Sequence, residues 1–240
     1  MKVFVISLFR STERRKRMIE KMAEAEIEFE FFDAIDAAQS PFTYSERYND
    51  RLTRLRKGYS LLSSEVACFA SHLALWQHCV AIDEPILVIE DNVDISPNAK
   101  NVIDKVDDII AQFEFIKLSA TKRGKFHSFL PLTLDYSLGG FAKGTTGATS
   151  YAISPSAALN LSQHAVQFIE PVDDYMEKPW RHHIQTYSIQ PSLFTRASVS
   201  STIGSHRKDK SKITFFDKIF IESFRTYEWF MRLLYWKNKQ

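Results

Sequence analysis

The sequence predicts an α/β domain built on a central, mainly parallel sheet. Three observations predict it. Short aliphatic runs at Val3 to Leu8, Ile86 to Ile89 and Phe115 to Leu118 have the length of buried strands. Segments with helical spacing separate those runs, the alternation that makes a parallel sheet. Polar clusters follow two of the runs directly, Arg10-Ser11 and Glu90-Asp91-Asn92. In open sheets of this class ligands collect beyond the carboxyl ends of the strands.

Taken in order, Val3 to Leu8 is the first strand, and Ser11 or Thr12 caps a helix from Glu13 to Ala25 with Met18, Ile19 and Met22 on one side. Phe29 to Ile35 is a second strand candidate. Residues 38 to 60 are polar, aromatic and weakly periodic, a long loop with a short helix. Leu61 to Val80 is the clearest helix: Val66, Phe69, Ala70, Leu73, Trp76 and Val80 follow its period, and Glu65 sits in the first turn where the dipole favours an acid. The strand Ile86 to Ile89 precedes a helix from about Asn98 to Ala111, and Phe115 to Leu118 is the next strand. Residues 120 to 143 carry Gly139-Gly140 and suit a hairpin. The small-residue stretch "GTTGATSYAIS" (144 to 154) runs into a strand, and Ser154 or Pro155 opens a helix to about His164.

Composition bounds the function. A chain of 240 residues with 45% hydrophobic content can bury one sizeable core. Net charge is +2, which gives no electrostatic case for nucleic acid. The charge is uneven: residues 207 to 240 hold nine Lys/Arg and four Asp/Glu, a surplus of five, which leaves about three excess acids before them. Cys68 and Cys79 lack zinc-type spacing, so a reducing compartment is expected. No run of about 18 apolar residues predicts a membrane span, and MKVFVISLF turns polar too soon for a secretory signal.

The stretch "VIEDNVDI" (88 to 95) drives a buried strand into acids. Neighbouring carboxylates repel unless something positive sits among them. Acids and Asn also simply end strands and open turns, with Pro97 close by. Convergence with the other two polar clusters, Arg10-Ser11 and the loop Gly144 to Thr149, favours a nucleotide or sugar-nucleotide site.

These residues carry a resemblance. "VFVISLFRSTERR", "SSEVACFASHLALW" (63 to 76), "PILVIEDNVDI" (85 to 95), "GTTGATSYAISPSAALNL" (144 to 161) and "PVDDYM" (171 to 176) resemble, in the same order, the segments of glycosyltransferase family 25, the bacterial lipooligosaccharide galactosyltransferases and their collagen-modifying relatives. The resemblance covers roughly the first 205 residues. It implies a GT-A-type, Rossmann-like fold for residues 1–205, a UDP-sugar donor with galactose first in line, Mn2+ or Mg2+, and inversion at the anomeric carbon onto a lipooligosaccharide or LPS glycan. Two departures stand out: Ser64-Glu65 where the family has Gly-Glu, and Glu90-Asp91-Asn92 where it has Glu-Asp-Asp. Asn92 still offers a neutral oxygen to a hard cation, but one negative charge is gone.

Under that resemblance the residues take roles. Hard divalent ions prefer oxygen ligands, so Asp91 is the first ligand expected and Asn92 the second, with Glu90 facing the ribose or holding Asp91. Asp94 is expected to be a surface acid. A late histidine, His206, is the third metal-ligand candidate; in a basic, Ser-rich loop it is as readily a bland residue. An acceptor hydroxyl must lose a proton as it attacks, and Asp174 or Asp173 is the expected base, with Asp174 slightly preferred. Pro-x-Asp-Asp is equally a helix cap with an acidic first turn. Ser7, Leu8 and Arg10 resemble the family's nucleotide-binding start. Arg15 can reach a phosphate, although "ERRKR" also reads as a solvated helix face. His72 is a donor-site candidate that would otherwise be a packed helix histidine, and Thr145, Thr146 and Gly147 offer amides and hydroxyls to the sugar.

Residues 206–240 form a basic, aromatic tail in which Phe216, Phe220, Tyr227, Phe230, Met231 and Leu234 share one helical face. Two readings stand side by side: an interfacial helix that docks the protein on the cytoplasmic face of a bacterial inner membrane, near a lipid-linked acceptor, or a helix packed on the catalytic domain or at a homodimer contact. Outside catalysis, the chain could be a sugar-nucleotide binder that Asn92 has silenced, or a membrane-docked scaffold.

Overall fold

The computed structural model describes residues 1–121, 124–141, 144–197 and 214–237. Its elements run β1 (Lys2–Ser7), α1 (Thr12–Glu24), β2 (Glu30–Asp33), a 3-10 turn (Ser45–Arg47), α2 (Asp50–Lys57), α3 (Ser63–Ile82), β3 (Ile86–Glu90) and β4 (Val93–Ile95). Then follow α4 (Ala99–Phe113), β5 (Phe115–Thr121), β6 (Phe126–Pro131), β7 (Ser137–Phe141), β8 (Thr146–Ile153), α5 (Pro155–His164), α6 (Val172–Met176), α7 (Pro179–His182), β9 (Tyr187–Gln190), β10 (Phe194–Arg196) and α8 (Phe215–Lys237). The strands and helices expected from periodicity all form, with ends displaced by up to three residues.

Eight strands make one sheet in the order β2-β1-β3-β8-β5-β9-β7-β6. β1 pairs in parallel with β2 and β3, and β5 with β9. β8 runs against both β3 and β5, and β7 against both β9 and β6. Six of the eight strands therefore point one way. The reversed β8 matters for the site, because its first residues lie beside the carboxyl ends of β1 and β3.

Alternation along the strands divides the core in two. Phe4, Ile6, Ile86 and Val88 pack with α3 and α5 on one face. Val3, Val5, Leu87 and Ile89 pack with Met18 and Met22 of α1 and with Val102, Val106 and Ile110 of α4 on the other. β1 and β3 bury both faces, which is why these runs are continuously apolar. Helix α5 starts as its sequence dictates: the Ser154 side chain accepts from Ala157 N, and Pro155 fills the first helical position.

The tail helix packs. Ile221 is buried, the Arg56 guanidinium lies 4.8 Å over the Phe224 ring, and Arg232 lies 5.8 Å over Trp180. A different side of the same helix leaves Phe220, Tyr227, Phe230 and Leu234 exposed. The two expectations for the tail are thus not exclusive. The boundary expected near residue 205, and His206 itself, lie outside the described residues.

Candidate active site

A cavity of about 480 Å³ opens where β1 and β3 end and β8 begins. Ser7, Leu8 and Arg10 come from the end of β1 and its turn, and Arg14 from α1. Glu65, Cys68 and His72 come from α3, and Glu90, Asp91 and Asn92 from the end of β3. Asp36 from the loop after β2, Gly147 from β8, Asp173 from α6 and Arg196 from β10 complete its charged and flexible lining. Three polar clusters far apart in sequence thus meet beyond the strand ends, as the sequence predicted.

The strand pleat separates neighbours. Glu90 follows Ile86 and Val88 toward α3, whereas Asp91 follows Leu87 and Ile89 toward α1. There the Ser7 hydroxyl donates to Asp91 Oδ2 at 2.7 Å, and Arg14 donates to Oδ1 at 2.8 Å. Both oxygens of Asp91, the ligand first expected, are already engaged. Asn92 differs: its Oδ1 is buried and has no hydrogen-bond partner. Asp94 pairs with Arg17 near the surface.

Arg14 was hidden in a run that reads as a solvated face. The available signal was position, since the first turn of a helix that follows β1 hangs over the strand end. Arg15 turns the other way. It donates to the carbonyls of Ser7 at 2.9 Å and Leu8 at 3.2 Å and pairs with Asp33, so it ties the β1–α1 turn together off the cavity. Arg10 pairs with Asp36 across the rim at 2.5 Å.

Glu65 is a cap as well as a wall: its carboxylate accepts from Leu62 N at 3.0 Å. His72 is buried, with Nδ1 2.8 Å from the Tyr151 hydroxyl, and Trp76 Nε1 lies 2.9 Å from the same oxygen. An indole N–H can only donate, so Tyr151 accepts from Trp76, and its own proton can go to Nδ1. In the tautomer that accepts from Tyr151 the ring proton sits on Nε2, 3.9 Å from Glu90. Cys68, His72 and Glu90 present sulfur, nitrogen and oxygen within 4.8 Å of one another. That tautomer makes His72 a hydrogen-bond donor there, a poor fit to a metal-bound imidazole.

The two adjacent aspartates part company. Asp173 lines the cavity, and its carboxylate accepts from Gly147 N at 3.0 Å. Burial, and then the charge of Asp174, push its pKa up. Asp174 instead receives Lys57 Nζ at 3.1 Å and does not line the cavity. Thr145, expected at the sugar, is spent on structure: its N–H and hydroxyl donate to Glu177 at 3.0 and 2.7 Å, and Glu177 also takes the buried Lys117 at 2.6 Å. Thr146 lies off the cavity, whereas Gly147 lies on it with φ 97°. A side chain is strained at that angle. Gly147→Ala should therefore cost about 1–2 kcal/mol and displace the N–H that fixes Asp173. A thermal melt several degrees lower, with reduced turnover, checks it.

Comparison with known proteins gives consistent matches. A family model described as "Glycosyltransferase family 25 (LPS biosynthesis protein)" matches residues 1–176. A Haemophilus influenzae protein named "Lipooligosaccharide biosynthesis protein lic2B" is 30% identical over 173 residues, covering 67% of this chain and 62% of the relative. Human "Procollagen galactosyltransferase 2" is 33% identical over 115 residues, covering 46% of this chain and 18% of the relative. Human "Inactive glycosyltransferase 25 family member 3" is 34% identical over 116 residues, with 46% and 20% covered. The chain thus spans less than two thirds of these relatives' own lengths.

Proposed function

The chain belongs to glycosyltransferase family 25, and from that premise we propose that it moves a hexose, galactose first among candidates, from a UDP donor onto a lipooligosaccharide-type glycan with inversion, in a GT-A-type arrangement. The observation that carries the reading is one cavity lined by Glu90 at the end of β3, Asn92 just after it, and Asp173 of α6. That arrangement suits a donor diphosphate at the strand end and an acceptor hydroxyl beside Asp173.

Charge sets the terms of donor binding. The cavity lining holds Asp36, Glu65, Glu90, Asp91 and Asp173 against Arg10, Arg14 and Arg196. An anionic diphosphate entering this acidic surplus needs added positive charge. The orphaned Asn92 oxygen and the Glu90 carboxylate fit a hard divalent ion, and these two residues would hold Mn2+ or Mg2+. Such an ion supplies Lewis-acid neutralisation of the leaving diphosphate. Arg14, fixed by Asp91, and Arg196 supply further positive charge on the donor side. Asp173 takes the proton of the acceptor hydroxyl as its oxygen bonds to the anomeric carbon and the bond to UDP breaks. A carboxyl raised by burial is a stronger base than a solvated one and lies nearer the working pH. Preference between the two acids thus passes from Asp174 to Asp173.

A lipid-linked acceptor and peripheral attachment at the cytoplasmic membrane face belong to the same reading. They are supported by the exposed Phe220, Tyr227, Trp229 and Phe230 on α8. No helix among the described residues is long and apolar enough to cross a membrane.

The test is calorimetric titration of UDP with and without Mn2+, followed by transfer assays from a panel of UDP-hexoses to truncated glycans. Mn2+ should tighten UDP binding, and Asn92→Asp should lower the Mn2+ concentration needed. Equal UDP affinity with and without the ion would remove the metal from the reading. The relative named inactive gives weight to a second reading, a sugar-nucleotide binder without turnover; it predicts UDP binding without transfer or slow donor hydrolysis.

A further inference from the structure

Six charges lie between α2, α6, α7 and α8. Lys57 Nζ is 3.1 Å from Glu170, 3.1 Å from Asp174 and 3.9 Å from Glu228. Lys178 bonds both Glu170 and Glu228, and Arg181 closes on Glu170. Three cations meet three carboxylates, so the set is neutral. Its members are mostly buried: the Glu170 and Lys178 side chains are 1% and 3% exposed, and that of Lys57 13%. Glu228 is the contribution of α8, and Asp174 adjoins Asp173. A second contact carries the same helix toward the site: the Arg232 guanidinium lies where a side chain on Gly144 would begin, 2.9 Å from it. Gly144 adjoins Thr145, which Glu177 holds, and leads to Gly147, which holds Asp173.

We propose that α8 is a working part of the base site: Glu228 shares Lys57 with Asp174, and this shared ion pair keeps Asp174 off the cavity so that Asp173 alone meets the acceptor. The proposal rests on Asp173 as the proton acceptor of the transfer reaction. Lys57 and Glu228 are positioning residues and touch no substrate. Burial opposes the charge on Lys57, yet Glu170, Asp174 and Glu228 together hold it protonated well above its ordinary range. The groups that face Asp173 are then few. Asp174 follows it on α6, and the Gly147 amide comes from β8. Lys117 comes from β5 and is matched by Glu177. Tyr59, after α2, is pushed up to about 12, first by burial, so it brings no charge; Glu65 of α3 lines the same cavity and is turned to Leu62 N. What remains adjustable is the balance that Lys57 and Glu228 impose on Asp174.

The sign of each change follows. Lys57→Gln leaves Asp174 an unmatched anion beside Asp173, which disfavours a second negative charge and raises the Asp173 pKa. Glu228→Gln leaves a surplus cation, which favours the Asp173 anion and lowers it. The acidic limb of the pH–rate profile should move up in the first variant and down in the second, each by about half a pH unit. The double variant, neutral again, should return close to the parent. A merely structural role predicts two weakened enzymes with the limb unmoved.

Carbon-13 NMR titration of the aspartate carboxyls, with Asp173 assigned through the Asp173→Asn spectrum, gives the same readout without turnover. Failure of the transferase reading and failure of this proposal are therefore separable. Opposite shifts with recovery in the double variant carry the proposal. Shifts in one direction, or none, overturn it. If Lys57→Gln does not fold, Glu228→Gln decides alone: an Asp173 titration that stays in place or rises overturns the proposal.

Discussion

Asp173→Asn should lower kcat by about 10²-fold or more while leaving UDP affinity nearly unchanged, the pattern of a lost general base. The swap keeps the shape of the side chain and the acceptor oxygen for Gly147 N, 3.0 Å away. It removes only the capacity to take a proton. Asp174→Asn makes an instructive partner, because Asp174 meets Lys57 and lies off the cavity. Its variant should keep most of the turnover. Steady-state kinetics of both, beside UDP titrations, decide the assignment. Near-parental kcat in Asp173→Asn would place the base elsewhere, and a large loss in Asp174→Asn alone would reverse the order of the two.

Removal of residues 214–240 should cost about 3–5 kcal/mol of stability, the typical loss when one partner of a buried ion pair is taken away. Lys178 is almost wholly enclosed and shares its charge between Glu170 and Glu228. Without α8 its head group and that of Lys57 lose a carboxylate, and the surface beneath Ile221 opens to water. For a chain of this size the melting temperature should fall by about 10 °C. A free tail, held only by a bilayer, would leave the melt unchanged. Vesicle co-sedimentation of the intact protein at low and high salt then tests the outer aromatic side of the helix independently, because that side takes no part in the packing.

Much of the fold was legible because burial on both faces leaves continuous apolar runs, and α3 announces itself through apolar positions at helical spacing along its 20 residues. The direction of β8 was not legible: a run such as "SYAIS" has the same composition read either way, and only its pairing with β3 and β5 fixes it. The site divides similarly. Glu90, Asn92, Asp173 and Gly147, singled out in the sequence, line the cavity, because strand ends and small-residue loops advertise themselves. Arg14 was missed because its partner, Asp91, lies 77 residues away. Lys117 was missed because a lysine within "FIKLS" looks like an ordinary solvent-facing position, yet its head group is enclosed against Glu177 and Thr145. Arg196 lies on a three-residue strand with no periodic signal at all. Pairings across long sequence separations are set by topology, which composition does not carry.

The proton order from Trp76 through Tyr151 to His72 has a consequence for ligand choice. The indole cannot accept, and burial first of all holds the Tyr151 hydroxyl un-ionised, its pKa pushed well above the ordinary value. In the tautomer that accepts the Tyr151 proton, His72 has one polarity, Nε2–H toward Glu90, like a plug that fits only one kind of socket. A sugar hydroxyl or ring oxygen can seat there, because each offers a lone pair. An ammonium or amide N–H at the same place would meet hydrogen against hydrogen and leave a buried donor unanswered, a mismatch of about 1–3 kcal/mol. If the chain takes the hexose donor proposed above, it should thus discriminate among hexoses that differ at one substituent by what their oxygen atoms can accept rather than by the size of the opening.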